Sequence, residues 1–323
     1  MGIIFSVKKL AKYFPVGGKT LKAVDCLTFE IYEREVYGVV GESGSGKSTL
    51  GRCMLNLVEP TAGEVIFGDE IMPMSELARK SPARMKSLRR DMQVVFQNPN
   101  SSFNPKMTIG RALYNAASFF GLKGGGRDRI HELLDYVNLD RSVLSRYSNA
   151  LSGGEMQRLA IVRALIPSPR FVMADEPVSA LDVSVQAQIL NILGEMKNRF
   201  GLTMMFISHE LTVVEHICDR IMVMYLGAMM ELGPVEELFG NPLHPYTRAL
   251  LDSRPKTSPD EKKTREMLEG EIPGAVDIPA GCRFFSRCPD AVRECGEIPP
   301  ELYKVTDFHF VACHLVRDTV GNN

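Results

Sequence analysis

Short apolar runs bounded by glycine, proline or charge alternate along this chain with longer stretches of helical period. Residues 4–10 and 24–31 read as strands, joined through Pro15-Val16-Gly17-Gly18. The runs 36–40, 63–68, 92–96, 171–174 and 202–207 read as further short strands, and Thr49 to Leu57 reads as a helix. Met74 to Arg90 is charged and reads as helical or exposed. Ile221–Tyr225 and Ala228–Leu232 predict a hairpin around Gly227. Asp182 to Phe200 predicts an amphipathic helix, with Asp182 as N-cap and Gly201 just past its end. Between about 98 and 165 the texture is helical: apolar residues in Ile130–Val137 recur at i, i+3, i+4 and i+7. Gly124-Gly125-Gly126 is a joint within that stretch. The pattern predicts an α/β core with a helical insertion at about 98–165. After Pro234 the composition shifts: residues 252–266 are polar and charged, and from Pro273 proline and cysteine accumulate. This divides the chain into 1–240 and 241–323.

Bulk properties narrow the partners. Among 323 residues, 38 basic side chains face 39 acidic ones, for a net charge of −1, which argues against a nucleic-acid partner. The longest apolar run, Ile221 to Met230, is about half of the ~20 residues a membrane span needs. Met1-Gly2-Ile3-Ile4-Phe5 lacks the charged start and long apolar stretch of a secretion signal. The expectation is a cytosolic protein that meets the membrane through a partner.

The chemistry gathers at Gly41-Glu42-Ser43-Gly44-Ser45-Gly46-Lys47-Ser48-Thr49, which fits the phosphate-binding pattern G-x-x-x-x-G-K-[ST] between a strand and a helix. Glycines let successive backbone N–H groups face one anion, and the helix N-terminus adds partial positive charge. Lys47 can reach the β- and γ-phosphates, and Ser48 can hold Mg²⁺. Asp175 closes the apolar run 171–174, where an acidic residue reaches the Mg²⁺ shell, and Glu176 follows as a general base for water. Alone, such a pair reads as an exposed strand end; with the glycine loop upstream it reads as catalytic. Leu151-Ser152-Gly153-Gly154-Glu155 opens another helix, with Ser152 and Glu155 in capping-box relation. Gly153 and Gly154 leave that helix start clear for a second anion contact.

These stretches resemble the motifs of ABC ATPases. Gly41–Ser48 is similar to their Walker A, Arg170–Glu176 to Walker B, Gln97 to the Q-loop and Leu151–Glu155 to the signature. Ser179-Ala180-Leu181-Asp182 resembles the D-loop, and His209 the switch histidine. All six occur in family order within residues 1–235. The resemblance implies a P-loop NTPase fold with an antiparallel β subdomain. It also implies a head-to-tail dimer with ATP between Walker A of one subunit and the signature of the other, Gln97 serving the Mg²⁺ shell. Phe14 stands where that family stacks an aromatic ring on adenine, with Tyr13 the adjacent alternative. Two departures stand out: Glu155 where many members have Gln, and Glu210 after His209 where Asp is commoner.

The tail resembles one branch. Asn241–Leu251, Gln97–Pro105 and Gly281–Pro289 are similar to the oligopeptide/dipeptide importer ATPases, whose relatives also carry nickel and other small solutes. That resemblance implies an ATPase at the cytoplasmic face of the membrane. Its partners would be a second ATPase subunit, two integral permease subunits and an extracytoplasmic substrate-binding protein. Four of seven cysteines (Cys282, Cys288, Cys295 and Cys313) cluster in this tail. Four thiolates can hold a [4Fe–4S] cluster, and cluster-bearing members of the branch favour that reading. His314 beside Cys313 keeps zinc as an alternative, and four incidental core thiols are the plain one. A soluble ABC ATPase acting on nucleic acid or ribosomes, or a redox-sensing regulator built on an ATPase, are the rival functions.

Overall fold

The computed structural model describes residues 2–253, 276 and 278–317. The polar stretch 252–266 and the start of the proline- and cysteine-rich segment at Pro273 lie largely outside the described residues. The strands are β1 (Ile3–Val16), β2 (Lys19–Tyr32), β3 (Val36–Val40), β4 (Ala62–Phe67), β5 (Met92–Val95) and β6 (Phe171–Asp175). They continue as β7 (Thr203–Ser208), β8 (Arg220–Tyr225), β9 (Ala228–Pro234), β10 (Tyr303–Lys304) and β11 (Phe310–Val311). The helices are α1 (Lys47–Met54), α2 (Met74–Lys80), α3 (Pro82–Asp91), α4 (Ile109–Phe119), α5 (Arg127–Tyr136) and α6 (Gly153–Leu165). After them come α7 (Val183–Phe200), α8 (Leu211–Ile217), α9 (Val235–Gly240), α10 (Pro245–Asp252) and α11 (Arg293–Glu297).

The chain gathers into two compact units. The first holds residues 76–207 with the short segment 32–36. Its sheet is parallel: β5 pairs with β6 (Met92↔Phe171) and β6 with β7 (Phe171↔Thr203). Every residue of β6 and β7 is buried, which explains the apolar runs Phe171–Ala174 and Met204–Ile207, because a parallel strand is covered on both faces. The insertion between β5 and β6 is helical as the spacing predicts. Helix α6 is buried on most of its circumference, through Met156, Leu159, Ile161, Val162 and Leu165. The Tyr136 hydroxyl donates to the Ile192 carbonyl at 2.8 Å and ties α5 to α7. Helix α7 begins where the Asp182 carboxylate accepts from the Val185 amide at 3.0 Å, and ends at Gly201 in the left-handed region (φ 61°).

The second unit holds residues 3–31, 37–75 and the described residues from 208 onward. It contains an antiparallel sheet ordered β2-β1-β4, with Phe5 opposite Phe67 and their rings 4.9 Å apart. It also contains β3, which runs parallel to β8 (Tyr37↔Arg220), and the antiparallel hairpin β8–β9. Leu226 and Gly227 turn that hairpin with φ of 45° and 80°, the two positive angles of a tight turn whose twist matches the strands. The last residues add to the same sheet: β11 pairs with β9 (Phe310↔Leu232) and β10 with β11. No helix among the described residues is long and apolar enough to cross a membrane.

Candidate nucleotide-binding site

The phosphate loop lies in the second unit, between β3 and α1. Lys47 is buried, and its Nζ donates to the carbonyls of Gly41 (2.7 Å) and Glu42 (2.9 Å). The ammonium thus braces the loop from inside while Ser43 and Gly44 remain exposed on its rim. Ser45 is buried and its carbonyl accepts from the Gly227 amide at 2.9 Å, which seats the loop on the β8–β9 turn. Gly46 has φ of 100°, and a Cβ there would stand 1.9 Å from the Ala23 carbonyl oxygen. Only glycine can occupy the position, because both the backbone angle and the approach of β2 exclude a side chain. Ser48 and Thr49 follow in the first turn of α1, where backbone amides and the helix dipole favour an anion. Phe14 is half-buried near the end of β1, with the Lys12 ammonium 4.9 Å from its ring centroid. Its neighbour Tyr13 donates its hydroxyl to Asp25, and burial together with that carboxylate pushes the phenol up to about 12.

His209 and Glu210 also belong to the second unit. His209 is exposed, with its Nε2 4.0 Å from the Glu210 carboxylate.

The first unit carries the remaining residues. Asp175 is buried at the end of β6, and Glu176 leaves the strand with φ of 46°, an angle uncommon for any residue but glycine. The Glu176 amide donates to the Ile207 carbonyl at 3.0 Å, which holds that turn against β7. Gln97, two residues past β5, donates from Nε2 to Glu176 Oε2 at 2.9 Å and reaches Ser179 Oγ at 3.5 Å. The Q-loop candidate thus meets the carboxylate expected to activate water, while the Ser179 hydroxyl of the D-loop candidate donates to the Glu176 main-chain carbonyl at 3.2 Å.

The signature candidate also lies in this unit, at the start of α6. Ser152 caps the helix, accepting from the Glu155 amide, while Glu155 Oε2 accepts from the Ser152 amide at 2.8 Å. The Ser152 hydroxyl donates to the same carboxylate oxygen at 2.8 Å. The backbone bond from Ser152, then its hydroxyl, holds the Glu155 carboxyl below its ordinary range. A Cβ on Gly153 would stand 3.5 Å from Leu181 Cδ2, an ordinary contact, but one on Gly154 would fall 2.6 Å from Val185 Cγ1. That glycine is required by the packing of α7 as well as by any anion above the helix.

The cysteine tail does not form the metal centre expected of it. Among the described residues, no set of three or more His, Cys, Asp or Glu side chains is placed to hold a metal ion. Neither the [4Fe–4S] cluster nor zinc is supported at Cys282, Cys288, Cys295 and Cys313; Cys282, Cys295 and Cys313 are buried thiols and Cys288 is half-buried. The Cys282 amide donates to the Cys295 carbonyl at 2.7 Å, and Cys313 packs with Val311 and Val316. Burial pushes the thiols of Cys282 and Cys288 up to about 11 and that of Cys313 upward. His314 Nε2 donates to the Ile298 carbonyl at 3.0 Å.

The same tail supplies residues that sequence reasoning missed. The Glu42 amide donates to the Tyr246 hydroxyl at 3.0 Å, and Arg287 makes a two-pronged contact with the Glu42 carboxylate at 2.8 and 3.0 Å. Tyr246 and Arg287 lie in stretches that sequence similarity marks, Asn241–Leu251 and Gly281–Pro289, but no sequence pattern ties them to Glu42.

Known proteins resemble this chain in sequence and in fold. The family described as ABC transporter matches residues 24–179, and the oligopeptide/dipeptide transporter C-terminal region matches residues 230–295. A peptide import ATP-binding protein of Brucella ovis is 46% identical over 319 residues, covering 98% of both chains. The oligopeptide transport ATP-binding protein OppF of Escherichia coli is 44% identical, covering 96% of this chain and 92% of its own. Among solved structures, cbiO1 of Clostridium perfringens, part of the ABC transporter complex cbiONQ, superposes with a TM-score of 0.65 at 25% identity, covering 75% of this chain and 92% of that one. The dimeric bacterial ABC transporter cassette MJ0796 superposes with a TM-score of 0.64 at 28% identity, covering 72% of this chain and 99% of that one. With its Walker motifs, its mixed α/β architecture and full-length similarity to such proteins, the chain is an ABC-type ATPase and belongs to the ATP-binding subunits of the peptide importer family.

Proposed function

We propose that this chain powers uptake of di- and oligopeptides across the cytoplasmic membrane, from the membrane's cytosolic side. The observation that carries the peptide reading is the match of residues 230–295 to the oligopeptide/dipeptide transporter C-terminal region, beyond the ATPase core shared by all ABC proteins. Relatives 44–46% identical along their length are named for peptide transport.

The chain pairs head to tail with a second ATPase subunit. Walker A residues Gly41–Thr49 of one subunit grip the triphosphate of ATP, and Ser152–Gly154 of the other seal it. Phe14 supports adenine. Ser48, Gln97 and Asp175 are the residues that would hold Mg²⁺, which neutralises phosphate charge; a hydroxyl, an amide oxygen and a buried carboxylate suit a hard cation. Glu176 takes the proton from water as its oxygen attacks the γ-phosphorus, and ADP leaves. His209 steadies the departing phosphate. Because the γ-phosphate touches both chains, ATP favours the closed pair over the open one, and its loss reverses that preference.

Coupling to two permease subunits runs through the helical insertion. A cleft of about 390 Å³ there is lined by Gln93, Asn104, Met107, Ala116, Phe119 and Phe120, and begins four residues before Gln97. Phe119 is 60% exposed on that surface, as an apolar contact awaiting a membrane partner would be. A secreted binding protein delivers the peptide outside.

The test is reconstitution with the permeases, the second ATPase and the binding protein in vesicles. ATP-dependent uptake of labelled oligopeptide, blocked by Glu176→Gln, is the expected result. Uptake of nickel or another small solute in place of peptide would reassign the cargo and leave the ATPase reading intact.

A further inference from the structure

The second unit contains a contact network that the hydrolysis cycle does not use. Glu42, second residue of the phosphate loop, is held at three points. Its carbonyl accepts from Lys47 Nζ at 2.9 Å, its amide donates to the Tyr246 hydroxyl at 3.0 Å, and its carboxylate is gripped by both terminal nitrogens of Arg287. Two of the three holders come from the C-terminal region, more than two hundred residues away along the chain.

The holders are themselves rigid. The Arg287 side chain is 6% exposed, and it also donates to the Tyr225 hydroxyl at 3.2 Å. Tyr246 is fully buried, with ring centroids 4.8 Å from Tyr225 and 5.2 Å from Phe284. Phe284 lies between Arg283 and the short turn Phe285–Arg287, so one aromatic cluster fixes the whole segment. Arg283 forms a second limb: its guanidinium donates to the Asp25 carboxylate and to the Leu226 carbonyl. Asp25 is the acceptor of the Tyr13 hydroxyl beside Phe14, and the Asp25 amide donates to the Gly227 carbonyl at 2.9 Å. The tail thus braces the loop expected to hold phosphate through Arg287 and the aromatic corner expected to hold adenine through Arg283.

We propose that the C-terminal segment 282–288 is a positioning clamp for nucleotide, in which Arg287, through Glu42, sets the shape of the phosphate loop. Arg287 does not touch the phosphates. It neutralises a carboxylate that would otherwise sit uncompensated within the loop, and it holds the Glu42 peptide at the distance at which its carbonyl steadies Lys47. A bidentate pair this enclosed is directional, and lysine cannot reproduce its two parallel bonds. The proposal rests on the nucleotide reading of residues 41–49.

The experiment measures MgATP binding by titration with a fluorescent ATP analogue on the full-length chain, for the unaltered protein, Arg287→Ala, Arg287→Lys, Glu42→Gln and the double variant Arg287→Ala/Glu42→Gln. The unaltered protein must bind; failure there sinks the nucleotide reading itself. Given binding, the clamp predicts a dissociation constant raised about tenfold in Arg287→Ala, as for a lost enclosed charge pair. It predicts a smaller rise in Arg287→Lys, and a double variant no weaker than the worse single one. Circular dichroism of each variant, taken alongside, excludes global unfolding as the cause. If Arg287→Ala does not fold, Glu42→Gln carries the test, since it keeps the side chain's shape and removes only the charge. Folded Arg287→Ala or Glu42→Gln with unaltered affinity, or strictly additive effects in the double variant, would overturn the clamp.

Discussion

Gln97 donates a hydrogen bond of 2.9 Å to the Glu176 carboxylate, joining the second residue after β5 to the first residue after β6. The two are 79 positions apart, and parallel pairing of β5 with β6 brings their C-terminal ends together. Gln97, proposed to lie beside the permease-facing surface, is therefore placed to orient the carboxylate proposed as the base. Gln97→Ala should leave ATP affinity near normal and lower turnover about 10- to 100-fold, the cost of a misplaced catalytic group. Glu176→Gln should lower turnover about 10²- to 10⁴-fold, the contribution of a general base. Phosphate-release kinetics at saturating ATP check both, and near-normal turnover in Glu176→Gln would remove it from the catalytic role.

Lys47 places its ammonium against the Gly41 and Glu42 carbonyls. Charge-assisted bonds to phosphate contribute about 1.5–3 kcal/mol each. Lys47→Ala should raise the dissociation constant for ATP about 10- to 100-fold while leaving the fold in place. Calorimetric titration measures the change.

Ser152 serves α6 as N-cap and is the residue proposed to meet the neighbouring subunit's ATP. Ser152→Ala should cost about 1 kcal/mol of stability, read by urea unfolding. Its larger effect should be on ATP-dependent pairing, read by analytical ultracentrifugation in a Glu176→Gln background. Unchanged pairing would limit Ser152 to its capping role.

Glu231 on β9 is fully buried, and His309 Nε2 lies 2.8 Å from its carboxylate, with His309 Nδ1 3.0 Å from Glu237. Burial acts to raise the Glu231 carboxyl, but His309 and the Leu243 and His244 amides outweigh it and hold it below 4.5. Burial acts to lower His309, but Glu231 and then Glu237 outweigh it and hold it above 6.5. The Glu231 contribution is therefore present above pH 4.5 and is lost as pH falls through the depressed folded value. The His309 contribution is complete below pH 6.5 and is lost as pH rises through the raised folded value. Glu231→Ala should cost about 3–5 kcal/mol near neutral pH, because it strands a buried charge. It should also flatten both limbs of stability against pH, measured by urea unfolding from pH 4 to 9.

Much of this was legible along the chain, for stated reasons. Helix α7 could be bounded because Asp182 and Gly201 are chemical end-markers, and the apolar runs Phe171–Ala174 and Met204–Ile207 follow from burial on both faces. Strand β1 was expected over 4–10 but runs from Ile3 to Val16. Its outer half is held by bonds that hydropathy does not register, such as the Tyr13 amide donating to Thr61 Oγ1 at 2.9 Å. The clustered cysteines misled because burial and ligation select the same residue in the same neighbourhood. The Arg287–Glu42 contact spans 245 positions, and no local pattern announces a pair that only the fold brings together.

Strand β9 would be the outermost long strand of its sheet were it not for Phe310 and Val311, which occupy the bonding positions beside Leu232 and Glu231. An uncovered strand margin offers its amides and carbonyls to any passing chain. Removal of everything after Leu243 would thus bare that margin and favour self-association, whatever became of the protein's chemistry.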